Sequence, residues 1–157
     1  MSAPTALLQR EQLIRADPRA VFAFFADPHN LEAITPAWLH FGITTPDPIE
    51  MGPGARIEYR LRLAGVGFRW KTRILAWEPG VHFVDAQEQG PFALWEHEHH
   101  FEVLSGRVHM LDRVRYRLPL GRLGAFVAGL PVRTALNAIF DHRHLAITRA
   151  FAREQAR

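Results

Sequence analysis

The sequence predicts an α+β domain in which an antiparallel sheet of about seven strands is covered by one long C-terminal helix. Apolar and polar residues alternate from Ala37 to Leu118, which is the period-two pattern of strands. From about Leu123 the apolar residues recur at helical spacing. A sheet with one apolar face needs a helix of this kind to exclude water from that face.

The composition fits one globular domain over residues 1–157. Hydrophobic residues make up 48% and charged residues 22%, which excludes a disordered or low-complexity chain. The sequence has no Cys, so a disulfide scaffold, a cysteine zinc cluster and a cysteine nucleophile are excluded. No apolar run of about 18 residues and no signal-peptide pattern is present, and we expect a cytoplasmic protein.

The N-terminal part predicts one strand and two short helices. Thr5–Arg15 is the candidate strand. Asp17-Pro18 begins the first helix, because Asp is a good N-cap and Pro suits the first helical turn. Asp27-Pro28 ends that helix and begins the second, which ends at Thr35-Pro36. A further short strand is predicted over Trp38–Thr44.

Turn residues divide the rest of the alternating region into strands. Glycine and proline punctuate the chain at residues 64–67, 79–80 and 105–106. We predict five strands here: Arg56–Leu63, Phe68–Trp77, Val81–Gln87, Phe92–Leu104 and Arg107–Leu118. Pro131 is expected to kink or split the terminal helix.

The turn at Ser105-Gly106 fixes the register of the last hairpin, and register fixes which residues are neighbours. On the inner face it pairs Trp95 with Tyr116, His97 with Val114, His99 with Asp112, and Phe101 with Met110. On the outer face it pairs Glu98 with Arg113 and Glu96 with Arg115. The opposite charges across the strands support the same register independently.

The same reasoning places polar residues on the inner face of the other hairpins. It sets Leu61 opposite Trp70, Tyr59 opposite Thr72, Ile57 opposite Ile74, Asp85 opposite Ile74, and Phe83 opposite Ala76. Burying an unpaired polar group costs about 1–3 kcal/mol, so a dry core would avoid these polar residues. An apolar wall with a few convergent polar groups is typical of a small-molecule site.

Several segments together resemble one superfamily. They are Ala16–Phe22, Phe25–Asp27, Ile34–Pro36, Trp77–Gly80, Asp112–Tyr116 and Pro119–Gly124. The chain resembles the START / polyketide cyclase-dehydrase (SRPBCC) superfamily, and in particular a small bacterial branch whose members mostly have no assigned reaction. The resemblance implies a helix-grip fold, with a curved sheet wrapped around the C-terminal helix and a deep apolar cavity. Members bind lipids, sterols, isoprenoid quinones, polyketides or hormones, and some are cyclases or dehydratases.

We therefore predict a domain that binds a small hydrophobic ligand, such as a lipid, an isoprenoid or quinone, or a polyketide-like molecule, without a cofactor. The predicted lining comes from the inner face of the sheet and from the helix. It comprises Tyr59, Leu61, Trp70, Thr72, Phe83, Asp85, Trp95, His97, His99, Asp112, Val114, Tyr116, Phe126, Leu130 and Phe140.

An enzyme is the first alternative. A carboxylate beside a histidine orients the ring and raises its pKa, which suits general acid–base catalysis near neutral pH. His99 and Asp112 are the candidate pair, with His97 and Tyr116 as further candidate catalytic residues. His97, His99 and an aspartate could also hold a metal, but a hydrogen-bonded structural pair is favoured over a metal site.

A membrane-associated lipid chaperone is the second alternative. Arg60, Arg62, Arg69 and Lys71 crowd the outer face near the turn at residues 64–67, and such a basic hairpin could contact an anionic membrane. The other interpretation is a solvated basic face. The arginines of the terminal helix are assigned to its solvent-facing side, although Arg143 could reach the cavity mouth. No nucleic-acid partner is expected from a net charge of +3, and the oligomeric state is left open.

Overall fold

The computed structural model describes residues 4–63 and 65–154, without the side chains of residues 63, 122–128, 130, 153 and 154. The elements follow the predicted order: β1 Ala6–Ile14, α1 Pro18–Ala26, α2 Asn30–Ala33, a 3-10 turn Ala37–Leu39, β2 Gly42–Ile43, β3 Arg56–Leu63, β4 Val66–Glu78, β5 His82–Gln89, β6 Leu94–Leu104, β7 Arg107–Arg117 and α3 Gly121–Glu154. The strands form one antiparallel seven-stranded sheet in the order β1-β7-β6-β5-β4-β3-β2. The predicted fold class is confirmed.

Helix α1 begins as the sequence predicts. The Asp17 carboxylate accepts hydrogen bonds from the backbone N–H groups of Arg19 and Ala20, at 2.9 and 3.2 Å. Pro18 occupies the first helical turn, where no backbone donor is needed. The cap fixes the angle at which the chain leaves β1, and Val21 becomes fully buried.

The register of the β6–β7 hairpin is confirmed at every predicted pair. The pairs are Trp95 with Tyr116, Glu96 with Arg115, His97 with Val114, Glu98 with Arg113, His99 with Asp112, and Phe101 with Met110. On the outer face the predicted ion pairs form, at 3.0 Å for Arg115–Glu96 and 3.3 Å for Arg113–Glu98. A two-residue turn with both Ser105 and Gly106 at positive φ produces this register.

The predicted register of the β3–β4 hairpin is wrong by two residues. Leu63 pairs directly with Val66, and Tyr59 therefore faces Trp70 rather than Thr72. The turn is shorter than predicted, with Gly65 at a φ of 79°. Because the shift is an even number, each residue stays on its predicted face.

A bulge changes part of the β4–β5 register. Ile74 faces Asp85 as predicted, but Phe83 faces Trp77 instead of Ala76. The pairing shifts between Ile74 and Ala76, where one extra residue enters β4.

The predictions for two other segments are also corrected. Trp38–Thr44 does not form a strand: its first part is a 3-10 turn, Trp38 is 47% exposed, and only Gly42–Ile43 pair with β3. His40 adopts the left-handed conformation with a φ of 46°, which interrupts an extended strand. Helix α3 continues through Pro131, so of the kink or split expected there the split does not occur, and a kink stays a prediction.

The core consists of two clusters, one against the C-terminal part of α3 and one against its middle. Ile147 and Phe151 join Val21, Phe101 and Met110 in the first cluster. Leu136 and Phe140 join the sheet residues of the second: Leu8, Trp70, Trp95, Val114 and Tyr116. Within the described ranges, no helix has the length and apolarity needed to span a membrane. Cytoplasmic location stays a prediction.

Candidate functional site

A cavity of about 440 Å³ lies between the inner face of the sheet, the α1–α2 segment and α3. Its wall takes residues from both core clusters, including Phe83 and Met110 from the first and Trp70 and Leu136 from the second. Most of the wall is apolar. The volume is in the range of natural small-molecule sites, which span about 300–1,000 Å³.

Most of the residues predicted to line a cavity lie on this wall. They are Tyr59, Leu61, Trp70, Thr72, Phe83, Asp85, Trp95, His97, His99, Asp112 and Phe140. The side chains of Phe126 and Leu130 lie outside the described residues. Whether any of these residues contacts a ligand stays a prediction.

Val114 and Tyr116 correct the predicted lining, because they are not on the cavity wall. Val114 is fully buried in the cluster that also contains Leu8 and Leu136. Tyr116 packs edge-on against the ring of Phe92, with 5.8 Å between centroids. Both residues pack against residues of the wall, and the catalytic role suggested for Tyr116 stays a prediction.

Two aspartates and two histidines form a polar cluster on the sheet side of the cavity. His97 Nε2 lies 2.8 Å from Oδ1 of Asp112, and His99 Nε2 lies 3.0 Å from Oδ2 of Asp85. The side chains of His97, His99, Asp112 and Asp85 are only 5%, 9%, 10% and 16% exposed. The predicted His99–Asp112 pair is therefore part of a larger arrangement, in which each carboxylate is hydrogen-bonded to a different histidine.

The His99 ring is fixed by contacts with two neighbouring rings as well as by its hydrogen bond to Asp85. Its ring stacks on Phe83, with 4.1 Å between centroids, and lies 3.7 Å from the ring of His97. Its Nδ1 atom is 3.0 Å from Asp112 Oδ1, which is an ion-pair distance, but the relative orientation of the ring and the carboxylate does not give a hydrogen bond. The ring is thus fixed in place, while Nδ1 remains buried without a hydrogen-bond partner.

The cluster sets the protonation of its members. Burial alone would raise the pKa of Asp112, but His97 and His99 outweigh it and hold the pKa far below its ordinary value. Burial, together with the proximity of His99, lowers the pKa of His97. Burial also acts to lower the pKa of His99, but Asp112 and Asp85 outweigh it and raise that pKa. The two carboxylates therefore favour the protonated form of His99, while burial disfavours the protonated form of His97.

Arg143 brings a cation to the same cavity from α3. Its guanidinium carbon lies 4.9 Å from the centre of the Phe140 ring. Its Nε atom is buried without a partner, and no ion pair within the described ranges includes it. Burial lowers the pKa of Arg143, while Asp112 and Asp85 act in the opposite direction. The Arg143 guanidinium thus faces the cavity with free donors.

Sequence reasoning placed Arg143 only at the cavity mouth, although a stronger signal was available. Positions 136, 140, 143 and 147 recur at helical spacing, and the other three are buried apolar residues. A basic residue within that stripe is directed at the sheet rather than at solvent. The wall positions Phe25, Ile34 and Ala135 were also missed, since single-chain periodicity does not show which helical residues reach a cavity.

The remaining polar atoms of the wall satisfy one another. Thr72 Oγ1 accepts a hydrogen bond from Trp70 Nε1 at 3.1 Å and lies 3.1 Å from the Tyr59 hydroxyl. Burial and the charge of Asp85 raise the pKa of Tyr59, so its hydroxyl stays protonated. The polar groups of Tyr59, Trp70 and Thr72 therefore already have hydrogen-bond partners within the wall.

The polar cluster also contains the residue types of a metal site. One ligating atom each from Asp85, His97 and His99 can be chosen so that all lie within 4.8 Å of one another. Both Nε2 atoms already bond to carboxylates, so these hydrogen bonds would have to break before either atom could coordinate a cation.

The chain matches a family model described as polyketide cyclase / dehydrase and lipid transport over residues 14–140. A search of curated protein sequences gave no match. Solved structures with the same fold include a protein from Thermus thermophilus, at 15% identity and a TM-score of 0.70, covering 92% of this chain and 99% of that one. An aromatase/cyclase from a Streptomyces species is 19% identical, with a TM-score of 0.67 and coverage of 96% and 93%. A major latex-like protein from Panax ginseng is 15% identical, with a TM-score of 0.68 and coverage of 94% and 97%. At these identities the likeness shows the fold.

Proposed function

We propose that this chain, which belongs to the polyketide cyclase / dehydrase and lipid transport family, binds a small, largely apolar molecule that carries an acceptor oxygen at one end. The apolar part would occupy the space between the sheet and α3, where a volume of about 440 Å³ suits a molecule of two or three fused rings or an equivalent chain. The acceptor oxygen would lie beside Arg143 and the polar cluster.

One observation carries this proposal. Within the described residues, two buried side-chain polar atoms have no hydrogen-bond partner, namely Arg143 Nε and His99 Nδ1, and both residues line this cavity. An unsatisfied buried polar group costs about 1–3 kcal/mol, and more where the group is charged. Arg143 can only donate, so a ligand oxygen would satisfy its Nε–H group. His99 Nδ1 already lies 3.0 Å from the carboxylate of Asp112, so Arg143 is the group that selects the oxygen.

A matched pair of ligands tests the proposal. 2-Acetylnaphthalene and 2-ethylnaphthalene have nearly the same shape, but only the first carries an acceptor oxygen. Calorimetry on the unmodified protein should give at least about tenfold tighter binding of the acetyl compound, because a hydrogen bond from a charged group contributes about 1.5–3 kcal/mol. In Arg143→Met the preference should disappear, while binding of the ethyl compound is retained.

The control is Arg149→Met, which removes an arginine from the exposed side of the same helix. This variant should keep the preference for the acetyl compound. Equal affinity of the unmodified protein for the two compounds would show that no acceptor oxygen is recognised. Failure of both compounds to bind would remove the cavity as a site for molecules of this size.

An acid–base enzyme is the second candidate function, and the position of His99 favours it. The ring lies between the carboxylates of Asp85 and Asp112, and His99 is on the cavity wall. Neutral His99 could take a proton from the carbon next to a ligand carbonyl and return it to the oxygen, which converts a ketone to its enol with no other reactant. Incubation of 2-acetylnaphthalene in heavy water should then exchange the methyl hydrogens for deuterium faster with the unmodified protein than with His99→Gln. Equal exchange rates would exclude this role for His99.

A further inference from the structure

A second group of unpaired cations lies on the opposite face of the sheet. Arg60, Arg62 and Arg69 project outward from the β3–β4 hairpin, and Arg60 is directly opposite Arg69. Among the residues that the structure describes, the side chains of these three arginines form no hydrogen bond or ion pair. Lys71, which the sequence groups with them, differs because it pairs with Glu58 at 3.3 Å.

The same hairpin contains a second arginine pair that shows what the first one lacks. Arg56 lies directly opposite Arg73, and Glu88 from β5 bonds to Arg56 Nε at 2.9 and 3.1 Å. This hydrogen bond lowers the pKa of Glu88, as expected for a carboxylate that compensates two cations. Like charges directly opposite each other destabilise a strand pair. Among the described side chains, no carboxylate pairs with Arg60 or Arg69 to offset that repulsion.

The unpaired arginines surround a concave space of about 390 Å³, which we call the basic pocket. Its lining contains Arg60, Arg62, Arg69 and His40 and no acidic residue. Two glycines keep the space open: Gly42 is beside Arg60 and Gly67 is opposite Arg62, and a Cβ atom on either would have no neighbour within 4 Å.

The basic pocket adjoins the wall of the inner cavity. Leu61 and Phe68 belong to the lining of both. Their neighbours Arg60, Arg62 and Arg69 face the opposite side of the sheet, because successive residues of a strand alternate between its two faces. The pocket and the cavity nevertheless open on different faces, so an occupant of one does not fill the other.

We propose that the basic pocket binds a phosphate group, held by the guanidinium groups of Arg60, Arg62 and Arg69. Guanidinium groups bind phosphate oxygens through paired, charge-assisted hydrogen bonds, and three of them with no acidic residue in the pocket lining favour an anionic phosphate group. The phosphate would fill the role at Arg60 and Arg69 that Glu88 fills at Arg56 and Arg73. Two sources present this chemistry, a soluble phosphate compound and the headgroups of an anionic membrane. This inference does not rest on the ligand proposed for the inner cavity.

The test compares two charge-matched variants. Arg60→Gln/Arg69→Gln removes the unpaired arginine pair, and Arg56→Gln/Arg73→Gln removes the same number of charges from the compensated pair on the same hairpin. Calorimetry with inorganic pyrophosphate measures binding of a soluble phosphate compound. Co-sedimentation with vesicles of phosphatidylglycerol and phosphatidylcholine covers the membrane source. Each loss of an arginine contact should weaken binding by about tenfold.

We expect Arg60→Gln/Arg69→Gln to lose binding by about a hundredfold and Arg56→Gln/Arg73→Gln to change it less than about threefold. Binding of pyrophosphate without vesicle binding identifies a soluble phosphate compound, and the reverse identifies a membrane surface; both support the pocket. Equal losses in the two variants would show attraction to net charge alone and overturn the proposal, as would the absence of binding in both assays. Thermal unfolding of each variant confirms that a loss is not caused by misfolding.

Discussion

His97 donates a hydrogen bond from Nε2 to Oδ1 of Asp112 at 2.8 Å, across a diagonal of the β6–β7 hairpin. The residue directly opposite Asp112 is instead His99. The same displacement occurs on the other side of β6. Asp85 is directly opposite His97, yet its hydrogen bond is with His99 at 3.0 Å. Diagonal neighbours on one face of a twisted sheet are within reach of side chains of this length. The consequence is one connected cluster in place of two separate pairs.

We expect Asp112→Asn to lower the pKa of His99, because it removes one of the two negative charges that raise it. The variant should also lower the free energy of unfolding by about 3–5 kcal/mol, as is usual when one partner of a buried ion pair is lost. Nitrogen-detected NMR titration and urea unfolding measure the two effects. The control is Glu96→Gln, whose surface pair with Arg115 should contribute about 0–1 kcal/mol. An unchanged pKa of His99 would show that Asp112 does not act on that ring.

His97 and His99 should make the free energy of unfolding depend on pH in opposite directions. The two effects lie on either side of about pH 6.5, the ordinary pKa of histidine. The folded pKa of His97 is lowered, so unfolding takes up a proton and its stabilising contribution falls as the pH drops below that value. The folded pKa of His99 is raised, so its contribution is complete below that value and is lost as the pH rises through the folded pKa.

Urea unfolding between about pH 5 and pH 8 separates the two histidines. His97→Gln should flatten the acid side of the profile, and His99→Gln should flatten the alkaline side. His99→Gln should also raise the pKa of His97 somewhat, because the proximity of His99 lowers it, so each variant is compared with the unmodified protein. An acid side that is equally steep in His97→Gln would assign that limb to other groups.

We expect Ala135→Phe to block the cavity, because Ala135 is on the wall and a phenyl group there occupies ligand space. Binding of 2-acetylnaphthalene should weaken by at least about tenfold while the thermal midpoint does not fall. Ala138→Phe is the matched control, since position 138 is on the exposed side of the same helix. Binding that survives in Ala135→Phe would place the ligand elsewhere.

Asp17→Ala should destabilise the fold by about 1 kcal/mol, because it removes the acceptor of two backbone N–H groups at the start of α1. Asp17→Asn keeps an acceptor oxygen at the N-cap and should stay within a few tenths of a kcal/mol of the unmodified protein. Urea unfolding measures both. Equal effects of the two substitutions would argue against a capping role.

The alternation of residues and the chemistry of the turns were sufficient to predict much of the sheet. The Ser105-Gly106 turn gave every neighbour in the last hairpin, because two residues at positive φ leave only one register. The turn near Gly65 was not sufficient, since a shorter loop with the same residues shifts the pairing by two positions. The bulge near Leu75 left no sequence signal, and it displaced Phe83 from its predicted partner.

The sequence by itself determined that His97, His99, Asp85 and Asp112 share the inner face, because a period of two fixes the face of every strand residue. Only the tertiary structure decided which of them bond, since the twist of the sheet and the stacking of His99 on Phe83 select the diagonal partners. It also decided that Val114 and Tyr116 pack in the apolar cluster beside the cavity and are not part of its wall. Packing of α3 against the sheet, a contact between distant parts of the chain, brought the Arg143 guanidinium to the cavity with its donors free.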